Sequence, residues 1–192
     1  MLVHFRPALV LLLALSLLTG LAYPLAVTGV AGLIWPAQAA GSLVRQGDRI
    51  VGSALIAQGE DRPAYLHPRP SAVDWNASAS GASNLGPTSR DLAGQVADRR
   101  AAYQAQNGVA APGDAVTASG SGLDPDISLA NALAQAPRIA RARGIAPEKV
   151  RTLIMDRVHR PWLGLYGVPY VTVLTTNLAL DEAFPAQPSG TR

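Results

Sequence analysis

Pro7-Ala-Leu-Val-Leu-Leu-Leu-Ala-Leu-Ser-Leu-Leu-Thr-Gly-Leu-Ala-Tyr-Pro-Leu-Ala-Val-Thr-Gly-Val-Ala-Gly-Leu-Ile34 is the stretch that decides the fold. From Pro7 to Val44 there is no charged residue, and no second stretch of the chain is like it. A bilayer core needs about 20 apolar residues as a helix, and Ala8 to Ile34 supplies them. Charges resume at Arg45 and are spread through the rest of the 192 residues. The reading is therefore one membrane-crossing helix followed by a water-soluble domain. One helix cannot wall a transport path by itself, so any part in transport is that of a subunit.

The rival reading is a cleaved leader. Ala37-Gln38-Ala39 fits a small-x-small cleavage site, and Arg6 gives a weak positive start. Against it, the apolar run exceeds the roughly 7–15 residues of a leader core, and Ser16, Thr19, Gly20, Pro24 and Thr28 lie inside it. Ser16, Gly20, Pro24, Thr28 and Gly32 recur at steps of four, along one side of a helix. Small residues at that spacing let a second helix come close, so this stripe is the candidate helix-packing face. Pro24 removes one ladder hydrogen bond, and a mild kink is expected there. Orientation stays open: Arg6 on one side is nearly balanced by Arg45 and Arg49 on the other.

Without Arg6 the chain holds 15 basic residues against 13 acidic ones, so the domain is near neutral. No basic stripe with interleaved aromatics is present, which argues against nucleic acid as a partner. Cysteine is absent, which excludes disulfides and thiolate metal sites. The pattern along the domain predicts an α+β fold. Ile50 to Gln58, with Gly52 inside it, reads as a buried strand. A Pro-, Ser-, Gly- and Asn-rich loop follows from Glu60 to Ser89. A helix is expected from Ser89 or Arg90 to about Gln106, with Leu92, Val96 and Tyr103 on one side and Gly108 as its stop. Ala110 to Pro125 reads as loop. A helical region from Ser128 to Gly144 is expected to be interrupted at Pro137. Another opens at Pro147, with Val150, Leu153, Ile154 and Val158 as its apolar face. Tyr170 to Leu174 alternates and is β-branched, so it reads as a strand. The expected division is a tail at 1–7, a transmembrane helix at 8–34, a linker at 35–42, one soluble domain at 43–182, and a disordered tail at 183–192.

No catalytic set emerges. His4, His67 and His159 are far apart and lack metal-ligand spacing. There is no nucleophile elbow and no phosphate-binding Gly-Lys-Ser/Thr loop. No selectivity-filter sequence is present either. Two loops stand out. Ser78-Ala-Ser-Gly-Ala-Ser-Asn-Leu-Gly-Pro87 and Val116-Thr-Ala-Ser-Gly-Ser-Gly-Leu-Asp-Pro125 are both rich in hydroxyls and glycine. Such loops can cradle an ion, or can be tight turns whose side chains cap nearby backbone.

The order and spacing of several stretches resemble the C subunit of the Kdp-type potassium-transporting ATPase. They are Tyr23-Pro-Leu-Ala-Val-Thr-Gly-Val30, Gly41-Ser-Leu-Val44, Gly52-Ser-Ala-Leu-Ile-Ala-Gln58 and Tyr65-Leu-His-Pro-Arg-Pro-Ser-Ala72. Ser80 to Pro87, Val116 to Pro125, Arg138-Ile-Ala-Arg-Ala-Arg-Gly144 and Val173-Leu-Thr-Thr-Asn-Leu-Ala-Leu180 complete the set. The resemblance implies an accessory subunit without catalysis of its own, in a bacterial inner-membrane complex that takes up potassium at the expense of ATP. It implies three partners: a channel-like potassium-translocating subunit, a P-type ATPase subunit and a small membrane peptide. It further implies a role in assembly, a proposed role as a catalytic chaperone that raises ATP affinity, and an extracytoplasmic soluble domain. ATP and potassium are then used by the complex, with no cofactor or metal assigned to this chain directly. The resemblance makes His67, Arg69, Ser83, Asn84, Gly86, Ser119, Gly120, Gly122 and Asp124 candidate interface residues. The alternative is an independent anchored or secreted hydrolase or binding protein with a cryptic site.

Overall fold

The structure, a computed structural model, describes residues 2–185. The chain divides between Leu43 and Val44 into two compact units.

The first unit is an apolar helix running from Phe5 to Ile34. At about 1.5 Å per residue it is some 45 Å long, more than a hydrocarbon core requires. It is built from α1 (Phe5–Leu17), a π turn (Leu18–Ala22) and α2 (Tyr23–Ile34). In the wide turn the Tyr23 N–H reaches back five residues to the Leu18 carbonyl. Pro24, which has no N–H to give, follows immediately, so the lost ladder bond is absorbed in a π turn. The helix begins at Phe5 rather than Ala8. It ends where Trp35 leaves helical backbone ahead of Pro36, as a residue before proline tends to do. The expected linker holds one further helical turn, α3 (Pro36–Ala39).

A two-stranded ribbon, β1 (Leu43–Gln46) and β2 (Arg49–Ser53), begins at the boundary residue and opens the second unit. The strand expected to reach Gln58 stops at Ser53, whose hydroxyl accepts the Leu55 N–H and turns the chain. The Gln58 side chain then folds back and donates to the Val51 carbonyl at 3.1 Å, over Gly52, where a Cβ would collide with it. Helix α4 (Arg90–Asn107) is capped as its sequence asks: the Ser89 hydroxyl accepts from Leu92 N–H, and Gly108 leaves in left-handed backbone. The stretch read as loop from Ala110 contains a short helix, α5 (Gly113–Val116).

Two three-residue strands, β3 (Asp126–Ser128) and β4 (Tyr170–Thr172), pair antiparallel with Ile127 opposite Val171. Around them stand α6 (Leu129–Arg143), α7 (Pro147–Asp156) and α8 (Val173–Ala183). The core is Leu66, Ile127, Ala132, Ala136, Ile139, Ala140, Val150, Ile154, Val171, Val173 and Leu180. Two expectations are corrected here. Helix α6 runs unbroken through Pro137, because Ala132 and Ala136 before it and Ile139 and Ala140 after it all sit fully in the core. That packing outweighs one missing ladder bond. The strand read as Tyr170 to Leu174 ends at Thr172, because its partner is only three residues long. Val173, Thr176 and Leu180 then continue burial at helical spacing. Val158 packs on the core from just beyond the end of α7. Phe184, placed in a disordered tail by the sequence, packs against the core too. The rest of that expected tail, 186–192, lies outside the described residues.

The long segment before α4 is fastened by side chains. Arg138 of α6 donates to the carbonyls of Pro63 (2.7 Å) and Tyr65 (3.0 Å), to Asn107 Oδ1 (2.9 Å) and to Gln135 Oε1 (2.7 Å). Burial lowers its pKa to about 10, still charged at neutral pH. Replacing it with an apolar side chain would strand four buried or half-buried acceptors at about 1–3 kcal/mol each. Arg138→Met is therefore expected to destabilise the full-length chain by at least about 3 kcal/mol in urea unfolding, against under about 0.5 kcal/mol for Arg141→Met on the exposed face of α6.

Candidate functional site

The two hydroxyl-rich loops, whose contacting residues Ser80 and Ser121 are 41 positions apart in sequence, meet. The Gly81 N–H donates to the Ser121 carbonyl at 2.8 Å, and the Ser80 hydroxyl donates to the same oxygen. From the other side the Ser71 hydroxyl donates to the Gly122 carbonyl at 2.8 Å and accepts the N–H groups of Val73 and Trp75. Ser119 is buried. Its N–H donates to the Pro70 carbonyl, its hydroxyl pairs with Ser121 Oγ at 3.1 Å, and it accepts from the Asp124 N–H. Gly122 takes φ +70°, and a Cβ there would lie 2.5 Å from Val73 Cγ2 and 2.8 Å from the Gly81 carbonyl. Ser71, Ser80, Ser119, Ser121, Gly81 and Gly122 are therefore spent on holding loop to loop. They act as caps and close-approach points.

The candidates divide accordingly. Arg69 and Asp124 form an ion pair at 2.8 Å, half open to solvent, and Asp124 also accepts the Asp126 N–H. Together with Ser119 and Gly122 they lie in the joint. Ser83, Asn84 and Gly86 are exposed beside it. Asn84 stands in left-handed backbone (φ +53°) and, among the described residues, donates to the nearby Ala82 carbonyl. Gly120 is exposed at the turn with open space around it. His67 is elsewhere, on the fastened segment. Its backbone is held by both atoms of the Gln135 amide, N–H to Oε1 at 2.8 Å and carbonyl from Nε2 at 3.2 Å. Burial, helped by Arg138, pushes the imidazole pKa down, so it is neutral at pH 7. Ser16, Gly20, Pro24, Thr28 and Gly32 are all on the exposed apolar helix, and Cβ atoms added at Gly20 or Gly32 would meet nothing in this chain.

Sequence reasoning missed two concave features. One, of about 260 Å³, gathers His67, Trp75, Arg99, Tyr103, Asn131 and Gln135. There Tyr103 donates to Asn131 Oδ1 at 2.9 Å, and burial pushes its phenol up to about 12. The other is a groove of about 460 Å³ between β2, residues 56–62 and α8. Burial alone would raise the Glu60 carboxyl on its rim, but the hydrogen bonds from Arg62 override this and hold it below the usual range. Tyr65 donates to Asp181 at 3.1 Å and stacks under the Arg62 guanidinium. The only advance signal was density of polar and aromatic residues in Tyr65 to Trp75, because Tyr103 meets Asn131 across 28 positions and Tyr65 meets Asp181 across 116.

The family model described as K+-transporting ATPase, c chain (KdpC) matches residues 5–182, from the start of the apolar helix to the last turn of α8. The chain belongs to the KdpC family. A relative from Cereibacter sphaeroides strain KD131, a potassium-transporting ATPase KdpC subunit, is 64% identical over 183 residues, covering 95% of this chain and 99% of the relative. Subunits of the same description from Caulobacter vibrioides NA1000 (54%; 96% of each chain) and Beijerinckia indica (51%; 97% and 98%) align as completely. In KdpC terms, several of the stretches that carry the resemblance touch in space: the Val116 stretch meets both the Tyr65 and the Ser80 stretches, and the Tyr65 stretch meets α6 and α8.

The joint is testable by one methyl group. Gly122→Ala combines a left-handed backbone with a collision, and is expected to cost about 2 kcal/mol and to speed amide exchange at Gly81 and Ser119. Gly120→Ala, in open space at ordinary φ, is expected to leave both unchanged. Comparing hydrogen exchange of the two variants checks this.

Proposed function

We propose that this chain is the accessory and assembly subunit of a high-affinity, ATP-driven potassium uptake complex of the bacterial inner membrane, without catalysis of its own. What carries the reading is the family match across both units, residues 5–182. On this reading the apolar helix crosses the membrane once and docks by its small-residue stripe on the membrane partners: the channel-like subunit, the P-type ATPase subunit and the small peptide. The soluble unit stands outside, with the 78–87 and 116–125 loops as a rigid contact surface, while potassium selection belongs to the channel-like subunit. The alternative of an independent hydrolase or binding protein loses ground because relatives aligned over at least 95% of this chain carry the subunit name.

The subunit raises the ATP affinity of the ATPase partner, acting as a catalytic chaperone. With the soluble unit outside and nucleotide inside, that effect is a coupling free energy transmitted through packed helices. Its carrier in this chain is the apolar helix.

Two measurements test the reading. Gly20→Leu leaves this chain's own packing untouched, since nothing lies within 4 Å of the site, but it blocks close approach of a second helix. Recovery of the other pump subunits on a tagged G20L chain is expected to fall about tenfold, a change of about 1.4 kcal/mol. Unchanged recovery would remove the docking face. The chain has no cysteine, so Ala105→Cys, exposed on α4, reports the side of the membrane. Labelling of intact cells by an impermeant maleimide is expected. Labelling only after lysis would put the soluble unit beside the nucleotide and make direct action on ATP the better account.

A further inference from the structure

From the end of α7 to the first residue of β4 the chain makes an arm that, apart from Val158 at its base, the core does not absorb: Arg157-Val-His-Arg-Pro-Trp-Leu-Gly-Leu-Tyr-Gly-Val-Pro-Tyr170. Its base is closed by a bridge in which the His159 N–H donates to the Tyr170 carbonyl at 2.9 Å and the Tyr170 N–H returns to His159 at 3.2 Å. The two rings stack at 4.8 Å. Nearer the tip Trp162 bridges Tyr166, and Leu163 and Gly164 reverse the chain in left-handed backbone. The reversal turns five large apolar side chains outward. Trp162, Leu163, Leu165, Tyr166 and Val168 are 69–78% exposed, whereas Leu55, the next large apolar side chain of this unit among the described residues, is 63% exposed.

A cluster of this kind on a soluble unit marks a contact. Four observations say which. Trp and Tyr on a Leu- and Val-bearing tip are the side chains that settle at the headgroup level of a bilayer, ring in the apolar layer and polar edge in water. The arm's own charge suits a lipid surface: between Asp156 and Asp181 the only charged residues are Arg157 and Arg160, with His159 between them. The tip backbone is partly self-satisfied, as an apolar layer demands. The N–H groups of Gly164, Leu165 and Tyr166 donate to carbonyls of Pro161 and Trp162, and Pro161 and Pro169 have none to leave open. Finally, the same polypeptide carries a helix apolar and long enough to cross a bilayer.

We propose that residues 157–170 form a membrane-surface anchor, whose Trp162, Leu163, Leu165 and Tyr166 enter the interfacial layer of an anionic bilayer while Arg157 and Arg160 meet lipid phosphates. Two signals of this type, one apolar and one basic, bind together far more firmly than either alone. The anchor gives the soluble unit a second attachment to the membrane besides its covalent one, and with it a preferred orientation on the surface.

The test uses the full chain and its lack of cysteine. Leu165→Cys carries a nitroxide, the chain is reconstituted into vesicles of phosphatidylcholine with or without phosphatidylglycerol, and collision with oxygen is compared with collision with a water-soluble nickel chelate. In the anionic vesicles the oxygen preference at position 165 is expected to exceed that of an Ala105→Cys reference by about fivefold. Adding Arg157→Gln and Arg160→Gln is expected to lower it to the value in neutral vesicles. A water-like label at 165 in both vesicles overturns the proposal. So does a label that is water-like in vesicles yet shielded from both reagents in the assembled pump, since the arm would then be a protein-docking surface. Circular dichroism of each labelled chain, unchanged from the parent, shows that the unit is folded.

Discussion

A segment that runs past the core without a strand partner has to find its hydrogen bonds elsewhere, and that requirement organises the soluble unit. Residues 63–67 are in no sheet, yet Leu66 is fully buried. The Asn177 amide of α8 accepts the Leu66 N–H at 2.8 Å and donates to its carbonyl at 3.0 Å, as a neighbouring strand would. Gln135 of α6 does the same for His67. Arg138 takes the carbonyls of Pro63 and Tyr65, and Arg143 takes that of Ala64 while closing an ion pair with Asp181 at 2.9 Å. Buried backbone groups are paired in nearly every native structure. Here two amides and two guanidiniums supply the pairing, and in doing so they fix α6, α8 and the start of the long loop in one arrangement.

Three of those side chains also explain why helix α6 tolerates Pro137. Gln135, Arg138 and Arg143 need one continuous helix to present them at the right heights. A break at Pro137 would cost their contacts as well as the alanine packing against the core. Downstream, the loop that leaves His67 arrives at Ser71 and Ser119 already positioned, so a few hydroxyls suffice to lock 78–87 against 116–125. The composition that could have served an ion cradle is used as internal caps. The surface offered outward is made of Ser83, Asn84, Gly86 and Gly120, groups with few internal obligations. A surface that is polar and rigidly backed suits a protein contact, in line with the proposed assembly role.

What was legible in the sequence was local. Ser89 and Gly108 bracket α4, Pro147 opens α7, and the uncharged run sets the first helix, because caps, prolines and charge act within a few residues. What was illegible depended on distant partners. The strand at Tyr170 ends early because β3 is short. The ribbon strand ends at Ser53 because of a hydroxyl and a returning glutamine. Arg69 finds Asp124 across 55 positions. His67 looked like an isolated histidine and is a half-buried neutral one, held by a residue 68 positions away. The exposed arm passed as ordinary connecting chain, since only burial distinguishes an apolar run that packs from one that stands out.

The first helix carries its own lesson about periodicity. Residues four apart on an α-helix of 3.6 residues per turn drift around the axis by about 40° at each step, so a stripe from Ser16 to Gly32 would wind well round the rod. A π turn takes more residues per turn, and it lies at Leu18–Ala22, between the first and third members of the stripe. It turns the later members back toward the side of the earlier ones. The proline that forces the wide turn is itself a stripe residue. Pro24 therefore does more than bend the helix: by moving the local period toward four, it helps keep small residues on one side over a length in which a regular helix would disperse them.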